Sequence, residues 1–148
     1  MKYLLIFYST VFFYCLICLF TFSGCEKYPE KIQANLNKLK STNSCQGCDL
    51  TGVVLVGFDL KNVNLSGFAN LSRADLTNAD LTNGNLTAAG LTEANMTRAN
   101  LTGANLTGAN LTGANLTGAI LTGANLTGAI LTDEQLSLLE SSGLLLSP

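Results

Sequence analysis

From residue 50 to residue 131 the chain places a large aliphatic side chain at every fifth position, with one interruption. Leu50, Leu55, Leu60 and Leu65 keep step. The register slips by one residue at Phe68 and Ala69, then runs through Leu71, Leu76, Leu81, Leu86, Leu91, Met96 and Leu101 to Leu131. Ala usually stands two places before the leucine, Asn or Asp one place before, and Thr one place after, while Gly, Asn, Arg or Glu completes the unit. On a helix a five-residue step rotates a side chain by about 140°, which would smear the leucines around the cylinder. On a straight strand an odd step sends successive leucines to opposite faces. A chain that turns a corner every five residues keeps them all on one side. The pattern predicts coils with Leu and the preceding Ala pointing inward, and with Asn or Asp and Thr pointing outward.

Stacked coils of this kind pair their backbones at about 4.8 Å. Burying one centre residue is worth about 1.5–3 kcal/mol, against about 1–2 kcal/mol of backbone entropy for each of the residues ordered. An isolated unit loses on that balance. The continuous hydrogen-bond ladder and the packing of coil on coil must supply the rest, so neighbouring units fold together. Ala suits the inward slot because opposing walls share a narrow tube. Gly84, in that slot, is expected to leave the core thin, and the extra residue at Phe68 to form a bulge at one corner.

Units of Ala, Asn or Asp, then Leu, repeated from residue 48 to residue 133, closely resemble the pentapeptide-repeat family. The stretch holds seventeen units plus one inserted residue. The resemblance implies an all-β fold, a right-handed quadrilateral β-helix with four units per coil. On that count Leu71, Leu91, Leu111 and Leu131 form one core ladder. It also implies a homodimer through the C-terminal end, an arrangement common in the family. DNA mimicry, which acidic members use to protect gyrase, needs dense carboxylates along the faces. Here Asp49, Asp59, Asp75, Asp80 and Glu93 are sparse and are offset by Lys61, Arg73 and Arg98, and no charge occurs between residues 99 and 132. No nucleic-acid partner is expected.

The flanks read as caps on the coils. Pro29 followed by Ile32, Leu36 and Leu39 predicts a short amphipathic helix over residues 29–41. Its apolar stripe would cover the first coil, and its basic polar face is the alternative, a membrane-surface role. Thr132, Asp133, Glu134 and Gln135 form a capping-box sequence ahead of Leu136, Leu138 and Leu139, which predicts a second helix that Gly143 could end. Such a helix would protect the last coil from strand pairing, with apolar residues 144–146 continuing the lid or meeting a partner molecule.

The first 24 residues are different in kind. Lys2 precedes an apolar run over residues 3–22 that is long enough to span a bilayer. It ends in Phe22, Ser23, Gly24 and Cys25, which resembles the lipobox of bacterial lipoprotein signal peptides. The resemblance makes Cys25 the lipidated residue. An uncleaved membrane anchor and ordinary secretion are the alternatives. The domain expectation is therefore 1–24 signal peptide or anchor, 25–47 linker and capping helix, 48–133 β-helix, and 134–148 C-terminal capping helix and tail.

Composition then narrows the chemistry. The 148 residues carry 8 basic and 10 acidic side chains for a net charge of −2, with no His and no Trp. Without His there is no Ser/His or Cys/His pair and no imidazole ligand. The glycines recur as corners and form no phosphate cradle. Cys45 and Cys48 bracket Gln46 and Gly47. A c-type haem site fails because Asp49 stands where His is needed, and zinc needs four ligands where two are present. A local disulfide in an oxidising compartment is the preferred reading, with free thiols and a redox pair as alternatives. The sequence thus points to a non-enzymatic, membrane-anchored β-helical binding or scaffold module of the bacterial cell envelope. It would need no cofactor, be held at the membrane by a lipid or by its N-terminal helix, face the periplasm or cell exterior, and bind an unknown protein. The alternatives are a tethered thiol-disulfide protein using Cys45 and Cys48, and ordered-water or ice binding through columns of Thr.

Overall fold

A computed structural model describes residues 28–141. The apolar segment 1–24, the lipobox-like Cys25, Gly143 and the tail at 144–146 lie outside the described residues. Helix α1 (Glu30–Thr42) comes first, the coils follow from Ser44, and helix α2 (Asp133–Ser141) comes last.

Between the helices the backbone pairs with itself through parallel bridges spaced one coil apart. Asn95 pairs with Asp75 below and Asn115 above, and Asn85 with Asn64 below and Asn105 above. The spacing is twenty residues wherever the inserted residue is not crossed, and twenty-one where it is, as in Asp49 with Asn70. Four five-residue units therefore make one coil. The first bridge, Ser44 with Asn64, places the start of the solenoid one unit before the expected boundary at residue 48.

The solenoid between two short helices is as expected, but its sides are not continuous strands. Among the described residues every pairing is an isolated bridge and none extends into a continuous strand. Each side of a coil is straight for too few residues before the next corner to hold two consecutive bridging positions.

The unit centred on Leu76 nevertheless satisfies all five of its N–H groups. Ala74 N–H closes the preceding corner on Leu71 O at 3.0 Å. Asp75 N–H reaches down to Val53 O, and Leu76 and Asn78 N–H reach up to Asn95 O and Thr97 O. The fifth, Thr77 N–H, has no backbone partner and is capped by Asp75 Oδ1 at 3.1 Å. This is why Asn or Asp is needed before the leucine: its short side chain accepts the one donor that the ladder leaves over.

The fifth position of the unit is left-handed throughout the coils. Asn62, Arg73, Asn78, Asn83, Ala88, Glu93 and Arg98 all have φ between 55° and 58°, and from Gly103 onward the position is always Gly. A left-handed conformation disfavours a side chain by about 1–2 kcal/mol, so the strain is concentrated between Asn62 and Arg98, with Gly47, Gly52 and Gly57 at the corners below and only Gly at the corners above. Phe68 is the exception in shape. It shares the corner with Gly67, both at positive φ, and projects outward 80 % exposed. Among the corners from Cys45 to Ala129 this alone lacks the hydrogen bond from the next inward residue back to the centre carbonyl.

Inside, the centre residues Leu50, Leu55, Leu65, Leu71, Leu76, Leu81, Leu86, Leu91, Met96, Leu101 and Leu106 are wholly buried. In the ladder named above, Leu71, Leu91 and Leu111 are buried and Leu131 is only partly so, because no coil lies above it. Gly84 does not thin the core. A Cβ there would lie 3.2 Å from Val63 Cγ1 and 2.9 Å from Leu81 O, so the larger residue one coil below already occupies the space. The first coil carries Val53, Phe58 and Val63 in the inward slot, where later coils carry Ala or Gly.

Candidate functional site

The two ends of the solenoid and its walls are the surfaces available for function. At the N-terminal end α1 buries Leu36 and Leu39 against the first coil, with Ile32 partly buried beside them. Pro29 lies just outside the helix as its cap residue, and left-handed Asn43 ends it. The edge of the first coil, with no coil beneath it, is met by side chains. Asn35 Nδ2 donates to Asp49 O at 2.9 Å and Asn43 Nδ2 to Lys61 O at 2.7 Å, while Tyr28 Oη accepts Val54 N–H at 2.9 Å. Higher in the stack the equivalent groups pair with the coil below, as Asn70 O does with Leu50 N–H, Thr82 O with Asn62 N–H and Asp75 N–H with Val53 O.

Cys45 and Cys48 are joined by a disulfide with a Cα–Cα distance of 5.3 Å. Cys45 fills the centre slot of the first unit and Cys48 the inward slot after the corner, so the bond crosses a corner from the inside. The two residues are 0 % and 7 % exposed. An attacking thiolate would have no path to sulfurs held beneath α1, and this placement suits a structural staple better than a redox centre.

The walls carry the Asn or Asp and Thr columns. In many units the Thr hydroxyl donates back to the Asx side chain two residues earlier, as from Thr97 to Asn95 Oδ1, Thr102 to Asn100 Oδ1 and Thr107 to Asn105 Oδ1, each at 2.6 Å. Those hydroxyl protons face the wall and not solvent. Charge is confined to the lower coils. Lys61 lies 3.4 Å from both Asp59 and Asp80, and Arg73 pairs with Glu93 at 2.8 Å. The Thr82 hydroxyl and amide, helped by Lys61, hold the Asp80 carboxyl below its usual range. The Thr51 hydroxyl and amide do the same for Asp49. Among the described residues no His, Cys, Asp and Glu side chains gather as a metal site, and no helix is long and apolar enough to cross a membrane.

At the C-terminal end the capping box forms. Thr132 N–H donates to Gln135 Oε1 at 2.7 Å and Gln135 N–H to Thr132 Oγ1 at 3.3 Å. Ile130 stands in the Asx slot of that unit and cannot accept the Thr132 amide, so Gln135 takes it. The Gln135 Nε2 then donates to Leu111 O and Ala114 O, both at 2.8 Å. Helix α2 covers only part of the last coil. Leu139 is buried, but Leu136 and Leu138 remain exposed, together with Ile120 and Ile130. Between α2 and the coil lies a cleft of about 930 Å³, lined by Leu116, Ala119, Leu121, Leu138 and Leu139 with Asp133 and Glu134 also on its lining.

Sequence reasoning named Cys45, Cys48 and the leucine ladder. It did not name Asn35, Asn43, Tyr28 or the double role of Gln135. The last was detectable: continuing the count by one coil from Asn115 places Gln135 in the next Asx slot. The N-terminal trio has no register to betray it.

The repeat is also matched among known proteins. The family model described as Pentapeptide repeats matches in 8 copies over residues 44–67, 69–108 and 94–133. The chain belongs to the pentapeptide-repeat family. No curated protein matches it. Among solved structures it is similar to HetL from the cyanobacterium Nostoc sp. strain PCC 7120, a pentapeptide repeat protein involved in heterocyst differentiation regulation. The identity is 38 % over 61 % of this chain and 39 % of HetL, with a TM-score of 0.44. It is also similar to alr5209 from Nostoc PCC 7120, at 26 % identity over 69 % of this chain and 96 % of that one, with a TM-score of 0.43. A third is AT2G44920 from the Arabidopsis thaliana thylakoid lumen, at 26 % identity over 80 % and 84 %, with a TM-score of 0.29.

Proposed function

We propose that the protein is a non-enzymatic binding or scaffold module of the bacterial cell envelope, tethered to the membrane through its N-terminus and facing the periplasm or cell exterior. The observation that carries this reading is the enclosed Cys45–Cys48 disulfide. A structural disulfide persists in an oxidising compartment, which is where export by a lipobox ending at Cys25 would deliver the chain. The solenoid is then a spacer with its N-terminal cap toward the membrane. Its C-terminal end, where Ile120, Ile130, Leu136 and Leu138 are exposed, is the face at which a protein partner or a second copy is met.

Detergent-phase partitioning tests the tether. The full chain should enter the detergent phase, and Cys25→Ala should release it to the aqueous phase if lipid is the anchor. Retention of Cys25→Ala would instead support the uncleaved helix. A full chain that stays aqueous would end the membrane reading. Pull-down from crosslinked envelopes with the anchored protein would then name the partner.

A further inference from the structure

We propose that the C-terminal end of the solenoid is a peptide-binding site that accepts an extended segment of another protein as one more rung. The inference deepens the binding half of the reading above, rests on that half, and does not depend on the membrane tether. It starts from the direction of the ladder bonds. In each unit between two coils, except the one interrupted at Phe68, the lower coil sends two N–H groups up and receives one from above. Leu91 and Glu93 N–H donate to Asn110 O and Thr112 O, while Asn110 N–H donates to Ala89 O. The upper edge of any coil therefore offers two donors for each acceptor.

Among the described residues that edge of the last coil has no backbone partner along the cleft. The amides of Leu116, Gly118, Leu121 and Gly123 carry no ladder bond, and neither does the carbonyl of Ala119. Gln135 has already taken Ala114 O at the neighbouring position, so the cap ends where the cleft begins.

The ligand that completes such an edge is fixed by what completes it three times lower down. It is an extended chain running parallel to the coil, presenting two carbonyls and one N–H per unit. One residue gives its N–H to Ala119 O and its carbonyl to Leu121 N–H. The next places an aliphatic side chain over Leu121 and into the cleft, as Leu121 itself covers Leu101. A small residue fits above Ala119. Asp133 and Glu134 on the cleft lining favour neutral or basic flanks over acidic ones.

A second copy is a poor complement. Its own C-terminal end is equally donor-rich, so two such ends would set N–H against N–H. Its acceptor-rich N-terminal end is already covered by Asn35 of α1 and by Asn43, which ends that helix.

The test is amide hydrogen exchange on the purified full chain in detergent solution. The probe is the capped peptide Gly-Ala-Asn-Leu-Thr-Gly-Ala-Asn-Leu-Thr, alongside the same peptide N-methylated at both Asn. The unmodified peptide should bind saturably with a Kd below about 1 mM. It should slow exchange at Leu116, Gly118, Leu121 and Gly123 by about tenfold or more. The methylated peptide and a Leu138→Arg protein should show neither effect. Absence of protection, or equal protection by the methylated peptide, would overturn the proposal. So would amides already slow in the free protein, whether released by ending the chain after Ser141 (its own tail as occupant) or by dilution (a second copy). None of these results alters the detergent partitioning, so failure here and failure of the tether remain separable.

Discussion

Gln135 Nε2 donates to Ala114 O at 2.8 Å, the position that backbone amides hold in the coils beneath. Asp75 N–H takes Val53 O, Asn95 N–H takes Ala74 O and Asn115 N–H takes Ala94 O. A side-chain carboxamide thus imitates the next turn of a solenoid that stops. At the other end Asn35 does the same for Asp49 O. Both ends are finished by amides that belong to helices.

Gln135 is 8 % exposed and serves Leu111 O, Ala114 O and the Thr132 amide together. Gln135→Ala leaves those groups without a partner. The expected loss is about 1–3 kcal/mol for the buried carbonyls, with about 1 kcal/mol more for the cap. Gln135→Glu should be no better at neutral pH, since a carboxylate cannot donate to the two carbonyls. Urea denaturation reads the change, and an unaltered midpoint for Gln135→Ala would remove the imitation argument.

Gly84 and Val63 make one packing unit across adjacent coils. Gly84→Ala pushes a methyl toward Val63 Cγ1 at 3.2 Å and Leu81 O at 2.9 Å. Overpacking of this kind destabilises by about 1–3 kcal/mol. Adding Val63→Ala removes the side-chain half of the conflict and should recover part of the loss, although Val63→Ala alone is destabilising. A double variant no more stable than the sum of the singles would show the two positions to be independent.

The five-residue period makes the corners, the inward leucines and the outward Asx and Thr positions legible in the sequence, because one geometry repeats and each exception stands out against it. Leu36 and Leu39 marked the covered face of α1, and Thr132 with Gln135 marked the start of α2. What escaped was the matching of residues on either side of the inserted Phe68. Val63 beneath Gly84 is invisible without the vertical register, which the inserted Phe68 shifts by one. Leu136, assigned to the lid, faces outward because the single turn before it sets the helix phase. Asn35 and Tyr28 reach the first coil from outside the repeat, so no periodicity points to them.

Acid should weaken the lower coils through Asp80. Its carboxyl is held below the usual range by the Thr82 hydroxyl and amide, then by Lys61. A folded-state value below the unfolded one stabilises above the unfolded pKa of about 3.9 and loses that contribution as pH falls toward the folded value. Asp80→Asn keeps an Oδ1 acceptor for the Thr82 amide, as Asn85 does for Thr87 at 3.1 Å, and removes the titration. The native protein's stability margin over Asp80→Asn should therefore be smaller at about pH 3 than at neutral pH. Urea midpoints at the two pH values measure it, and a constant margin would contradict the assignment.

The Cys45–Cys48 bond decides between staple and redox centre. It closes a very short loop, for which the chain-entropy relation gives about 2 kcal/mol. Cys45→Ala with Cys48→Ala should lower stability by about that amount, and should loosen α1 first because Leu36 and Leu39 pack on the same coil. Being 0 % and 7 % exposed, the sulfurs should resist dithiothreitol under native conditions and yield to it once denaturant opens the cap. The protein should not accelerate insulin reduction. Rapid native-state reduction together with turnover of insulin would reverse the assignment and make the pair a thiol-disulfide centre, whereas slow reduction coupled to opening of α1 in hydrogen exchange would establish it as the fastening of the N-terminal cap.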